Sequence, residues 1–191
     1  MTVPLRQIPN VLTFLRILLV IPFAASLFYD YYRQALAIFF IAGLSDGIDG
    51  FIARHFNWKS RLGAIADPLA DKLLLVTAYI VLTIMGHLPT WLTVLVFSRD
   101  IIIVVGALIY HYFIGQYRIM PSVFGKLNTF VQIIYALVII MHLAGFSMPS
   151  VAIAYGLYLV AFLAVLSGIH YIVVWSNKGL NEIRNQRIHG A

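Results

Sequence analysis

Residues 45–74 read SDGIDGFIARHFNWKSRLGAIADPLADKLL. Four carboxylates, Asp46, Asp49, Asp67 and Asp71, stand here in segments that are otherwise strongly apolar. Asp46 and Asp49 are three residues apart and Asp67 and Asp71 four apart, so on helices each pair shares a face. An ionised Asp at the centre of a bilayer costs about 2.5–3.5 kcal/mol on insertion scales, less towards the interface. Four like charges in one place also push each other towards the neutral form. Solvated carboxylates at helix ends are the plain alternative. The paired spacing argues instead for a cation that all four share. Arg54 and Lys72 are too few to neutralise them, whereas one or two divalent metal ions suffice. An all-oxygen donor set suits Mg²⁺, Mn²⁺ or Ca²⁺, and with no His on the same faces zinc is disfavoured.

The elements that must hold these acids follow from composition. The chain has 191 residues, 62% hydrophobic and 10% charged, with a mean hydropathy of +0.93. Soluble domains are far more polar. Apolar runs of roughly 20 residues fit membrane-spanning helices. A β-barrel is excluded because runs such as LLLVTAYIVLTIM lack the alternation that barrel strands need. The expected fold is all-α, a polytopic membrane protein with six transmembrane helices over about 10–30, 34–54, 63–86, 90–114, 122–144 and 149–175. No linker divides the chain, so residues 1–191 read as a single membrane domain. The first run, with Arg6 before it, has the outline of a signal peptide. Arg16 interrupts it and five further runs follow, so it reads as a retained span.

The chain has no cysteine, which removes disulfides, thiolate nucleophiles and thiolate metal sites. Its formal charge of +6 is spread over several short loops, which argues against nucleic acid as a partner and for loops facing a cytoplasm and anionic lipid. Arg6, the Arg54, Lys59 and Arg61 group, Arg118, Lys126 and the tail cations Lys178, Arg184 and Arg187 all fall on one side if the spans alternate. The other side has Arg33. Both termini and the acid-bearing ends of spans two and three are therefore expected on the cytoplasmic face, in a bacterial inner (plasma) membrane.

Small residues, Gly47, Gly50, Ala53, Gly63, Ala64, Ala66 and Ala70, surround the acids. They serve close helix packing in lipid and also let a flat ligand approach the backbone. The order Asp46-x-x-Asp49-Gly50-x-x-Ala53-Arg54, eight residues, Gly63-x-x-x-Asp67-x-x-x-Asp71 resembles the signature of the CDP-alcohol phosphatidyltransferase family at all eight positions. The resemblance implies a two-metal site of Mg²⁺ or Mn²⁺ on Asp46, Asp49, Asp67 and Asp71. It also implies a CDP-linked lipid donor, CDP-diacylglycerol, and Asp71 as the general base for an acceptor hydroxyl. Gly50, Ala53, Arg54 and Gly63 fall on the family's CDP-binding motif. Asn10 and Thr13, on one face of the first span, are added as candidates for the nucleotide end. A homodimer is expected on the same ground.

The acceptor is read from spans four and five. Phosphatidylglycerophosphate synthases of this family carry two further cations there. Here Ala107 and Asn128 occupy those positions. The segments SRD, 98–100, and PSVFGKLNTFVQ, 121–132, instead resemble the eukaryotic-type, CMP-forming cardiolipin synthases. This implies phosphatidylglycerol as acceptor, with Arg99, Arg118 and Lys126 left to meet its phosphodiester. Phosphatidylglycerophosphate synthesis from glycerol 3-phosphate is the alternative within the family. An ion-coupled transporter is the alternative outside it, but the spans show no inverted repeat and the acids lie near one interface. A prenyltransferase would need a second acid motif in a distant span. The topology is directly testable. A cysteine placed at Lys59 is expected to react only with cytoplasmic-side reagent and one at Pro149 only from the opposite side. The reverse pattern would move the acids across the membrane.

Overall fold

The computed structural model describes residues 8–55, 61–114 and 123–189, with side chains over 13–45, at 70, over 72–106 and over 124–174. The described residues are helical throughout apart from short turns, with no strand among them. The six helices are α1 Ile8–Phe28, α2 Tyr32–His55, α3 Arg61–Ile84, α4 Thr90–Ile114, α5 Val123–Leu143 and α6 Ser150–His189. Their starts and ends lie close to the expected spans, with one larger difference. α6 runs 40 residues, through the basic tail to His189. The tail holds Gly179 but no proline, so nothing in it forces the backbone out of the helix. Among the described residues, Phe124–Leu143 and Ser150–Val174 are long and apolar enough to cross a membrane. Shorter apolar stretches lie at Thr13–Phe28, Tyr32–Ser45 and Lys72–Ile84.

Three helix ends close in the same way. At each, an amide five residues on bonds back to a carbonyl of the last turn: Tyr31 to Ser26 (2.8 Å), His87 to Leu82 (2.8 Å) and Phe146 to Met141 (3.1 Å). The residue before each has positive φ: Asp30 at 61°, Gly86 at 78° and Gly145 at 92°. This closure satisfies carbonyls that a helix end would otherwise leave bare. Glycine takes the left-handed conformation freely, and Asp is among the few other residues that tolerate it. Pro89 and Pro149 then stand immediately before α4 and α6, each with φ already set near its helical value.

The chain forms two compact units. In the first, Met1–Leu88 with Ala136–Ser150, α1 packs along both α2 and α3, which meet each other over a smaller patch among the described residues. Phe23, Leu27, Phe39, Ala42, Leu75, Tyr79 and Leu82 are buried here, and the rings of Phe23 and Phe39 lie 5.8 Å apart. The turns of this unit are tied together. Tyr32 Oη donates to the Asp30 carboxylate. His87 Nε2 then serves as donor to Tyr32 Oη at 2.9 Å. Arg33 Nε reaches the Ala144 carbonyl at 3.4 Å.

The second unit, Pro89–Tyr135 with Val151–Ala191, contains α4, the first part of α5 and nearly all of α6. Leu92, Val96, Val160, Leu163 and Ala164 are buried in it. Gly156 admits the Tyr135 ring: a Cβ built there would stand 2.6 Å from Cδ2 and 2.9 Å from Cε2. Gly156→Val is therefore expected to displace the ring and destabilise the protein by about 1–3 kcal/mol, the usual range for overpacking. Gly43→Ala meets nothing within 4 Å and is expected to leave stability equal or slightly raised, since Ala is the better helix former. Thermal unfolding in detergent separates the two, and equal midpoints would remove the packing role of Gly156.

Candidate functional site

The four acids lie on the helices expected of them, Asp46 and Asp49 on α2 and Asp67 and Asp71 on α3. Their side chains lie outside the described ones. On helical backbone the spacings of three and four keep each pair on one face. An all-carboxylate donor set at that spacing fits hard divalent cations. Gly50, Ala53 and Arg54 also lie on α2 and Gly63 on α3, with side chains likewise outside the described set. Arg118 lies outside the described residues. α1 brings Asn10 and Thr13 to the helix that packs against both acid-bearing helices. Thr13 is buried, and so is Arg16, only 1% exposed and with an interaction partner of its own.

The second unit brings Arg99 and Lys126 together. Both line a cleft of about 470 Å³, with Ile103, Phe130, Ile133 and Tyr171 as its apolar walls. Arg99 is 8% exposed and held on three sides. Its Nε and Nη2 donate to Ser167 Oγ at 3.2 and 2.7 Å, and its Nη1 donates to Asp100 Oδ1 at 2.8 Å. Its Cζ lies 5.8 Å from the centre of the Tyr171 ring, within the range of a cation–π contact. Gly168 lets the Arg99 stem lie against α6, with its notional Cβ at 3.8 Å from Arg99 Cγ.

A guanidinium has five N–H donors. Among the described residues, the three bonds above leave one on Nη1 and one on Nη2, a pair able to meet two oxygens of an oxyanion. Asp100, 15% exposed, offsets the charge of Arg99.

Sequence reasoning chose Arg99 and Lys126 but missed Ser167, Tyr171 and the role of Asp100. Asp100 was legible, because an acid directly after an arginine in an apolar run needs a reason. Ser167 was signalled only as a lone hydroxyl within an apolar stretch, and serine is also common where membrane helices pack closely on one another.

The described residues are helical, and the eight-position acid motif is split over two consecutive helices, α2 and α3. The family model described as CDP-alcohol phosphatidyltransferase matches residues 6–175, and the chain belongs to that family of membrane-embedded enzymes, whose members use divalent metal ions. Among curated relatives, the Mycobacterium tuberculosis protein named "Probable phosphatidylglycerophosphate synthase" is 32% identical over 176 residues, 88% of this chain and 81% of its own. The Rattus norvegicus "Cardiolipin synthase (CMP-forming)" is 36% identical over 143 residues, 66% of this chain and 47% of its own. The Bacillus subtilis "CDP-diacylglycerol--glycerol-3-phosphate 3-phosphatidyltransferase" is 33% identical over 135 residues, 70% of this chain and 69% of its own.

The Arg99 clamp yields a prediction independent of substrate. Ser167→Ala strips Nε and Nη2 of their partner and is expected to destabilise the protein by about 1–3 kcal/mol. Combined with Arg99→Met the two changes are expected to be non-additive by about 0.5–3 kcal/mol, as contacting residues are. Additive losses in thermal unfolding would show that the clamp does not act as a unit.

Proposed function

We propose that this chain transfers the phosphatidyl group of CDP-diacylglycerol to phosphatidylglycerol, giving cardiolipin and CMP. The observation that carries this reading is the cleft of the second unit, where Arg99 and Lys126 stand beside an apolar wall of Ile103, Phe130, Ile133 and Tyr171. A phosphodiester lipid brings one negative charge and acyl chains, which that combination suits. Glycerol 3-phosphate brings a phosphomonoester with up to two charges and no chains, and would leave the apolar wall unused. Lys126 is exposed and lies on the first turn of α5, where a flexible ammonium can follow a headgroup. The alternative, phosphatidylglycerophosphate synthesis, draws on the names of the Mycobacterium tuberculosis and Bacillus subtilis relatives.

In this reading Asp46, Asp49 and Asp67 hold two Mg²⁺ or Mn²⁺ ions, with Asp71 sharing them. When bound, such ions neutralise the donor pyrophosphate and the departing CMP. Asn10, Thr13, Gly50, Ala53, Arg54 and Gly63 seat the cytidine and its phosphates. Arg99, Arg118 and Lys126 hold the acceptor phosphodiester, with Ser167 and Asp100 fixing the Arg99 fork. Asp71 takes the proton of the acceptor hydroxyl. That oxygen bonds to the phosphorus bearing diacylglycerol as the bond from this phosphorus to the CMP oxygen breaks, and CMP leaves with the electron pair.

We read the six helices as six spans of one functional domain, supported by the single family match over 6–175. The termini and acids face the cytoplasm of a bacterial inner membrane, as the cation count supports, and the enzyme works as a homodimer.

Purified protein given CDP-diacylglycerol and Mg²⁺ is expected to release CMP with phosphatidylglycerol at least about 100-fold faster than with glycerol 3-phosphate, the factor expected from roughly 3 kcal/mol of lost charge-assisted bonding. Chelation, and Asp→Asn at Asp46, Asp49 or Asp67, should each lower that rate by orders of magnitude. Efficient formation of phosphatidylglycerophosphate would overturn the acceptor while leaving the family intact. Full activity in chelator would overturn the role of the acids.

A further inference from the structure

A cleft of about 320 Å³ at the start of α2 is lined by residues 30–34 and, at the end of α5, by Leu143 and Ala144. All of these belong to the first unit. The cleft holds two full charges of opposite sign, Asp30 and Arg33, and they do not pair with each other. Asp30 accepts the Tyr32 hydroxyl on Oδ1, which leaves Oδ2 without a partner among the described residues. Arg33 places Nε on the Ala144 carbonyl at 3.4 Å, which leaves Nη1 and Nη2 without one. Each charge is thus drawn aside by its own anchor and keeps one side open. The site is separate from the acid motif: Asp46 lies thirteen residues beyond Arg33, roughly 20 Å along the axis of α2. It shares no residue with the cleft of Arg99.

A cleft with an open cation and an open anion fits a ligand that carries both signs. The free edge of the Arg33 guanidinium matches two oxygens of a phosphate. The leading amides of α2 add to this, since the first turn of a helix has no intrahelical acceptor for them and favours negative charge. Asp30 Oδ2 needs a donor, which a primary ammonium supplies. A trimethylammonium has no hydrogen to donate, and a purely anionic ligand meets repulsion at Asp30. The surroundings name the source of such a ligand. Phe28, Tyr29 and Tyr31 stand exposed beside the cleft, and aromatic residues of membrane proteins gather at the level of the lipid headgroups. The volume is at the low end of ligand sites, about 300–1,000 Å³, which suits a headgroup whose chains stay in the bilayer. The charge pattern sets Arg33 apart from the loop cations on the other side, and a headgroup site gives that isolated cation a use.

We propose that this cleft is a binding site for a zwitterionic phospholipid with a primary ammonium, its phosphate on the Arg33 fork and its ammonium on the Asp30 carboxylate. The lipid is bound and not consumed, because the acids that handle the reaction lie at the other end of α2. It bridges the turn before α2 and the first turn of that helix, the same turns that Tyr32, His87 and Ala144 tie together. The site is independent of which alcohol the enzyme uses as acceptor.

The test measures binding without turnover. Full-length protein in detergent micelles, with no CDP-diacylglycerol present, is titrated with phosphatidylethanolamine or phosphatidylcholine of identical chains, and bound lipid is counted by native mass spectrometry. Wild type is expected to reach half-saturation with phosphatidylethanolamine at about fivefold lower mole fraction, a factor that corresponds to roughly 1 kcal/mol, the upper end for an exposed ion pair. Asp30→Asn retains a residue that tolerates positive φ and still accepts from Tyr32. It is expected to bring the two lipids to within about twofold of each other. Arg33→Gln is expected to weaken both by about fivefold, since both carry the phosphate. The comparison is between lipids on one variant, so a change in that variant's stability does not alter its meaning. Equal binding of the two lipids by wild type overturns the proposal, as does a preference that survives Asp30→Asn. If phosphatidylglycerol binding falls by the same factor in Arg33→Gln, the cleft takes any phosphate and its selection of a zwitterion is overturned. Each of these results leaves the proposed reaction standing.

Discussion

Charge in an apolar medium is the constraint on which this molecule depends. A carboxylate or guanidinium among apolar helices is tolerated only where another group meets it, since uncompensated ions cost several kcal/mol there. Arg99 shows the solution in full, with a serine, an aspartate and an aromatic face around one guanidinium. Arg16 is buried with a partner of its own. The four acids of α2 and α3 pose the same problem with the opposite sign. Divalent cations are the compensation their chemistry favours.

Much of this was legible in the sequence. The helices were readable from long, mostly apolar runs, and their ends from Gly86, Gly145, Pro89 and Pro149, which have mechanical reasons to sit where they do. Asp30 was not readable as a helix end. Its left-handed conformation belongs to a residue with many other uses, and only the Tyr32 contact explains the choice. The continuation of α6 to His189 was missed for a different reason. Apolar periodicity marks where a helix is buried and is silent about where a polar helix goes on.

The acid motif was legible because its chemistry lies in spacing along the chain. The Arg99 surroundings were not, because Ser167 and Tyr171 sit 68 and 72 positions later in sequence and meet Arg99 only through helix packing.

The stitching of the turns in the first unit has a mechanical consequence. Asp30, Tyr32 and His87 link two turns, and Arg33 adds a third through the Ala144 carbonyl. Asp46 lies fourteen residues beyond Tyr32 on α2, roughly 20 Å along the axis at 1.5 Å per residue. A bundle clasped at one end in this way resists splaying there, because separating any of these turns must break a buried or half-buried polar contact. The three turns are thereby held as one piece, and the acids stand on the part of α2 farthest along its axis from that hold.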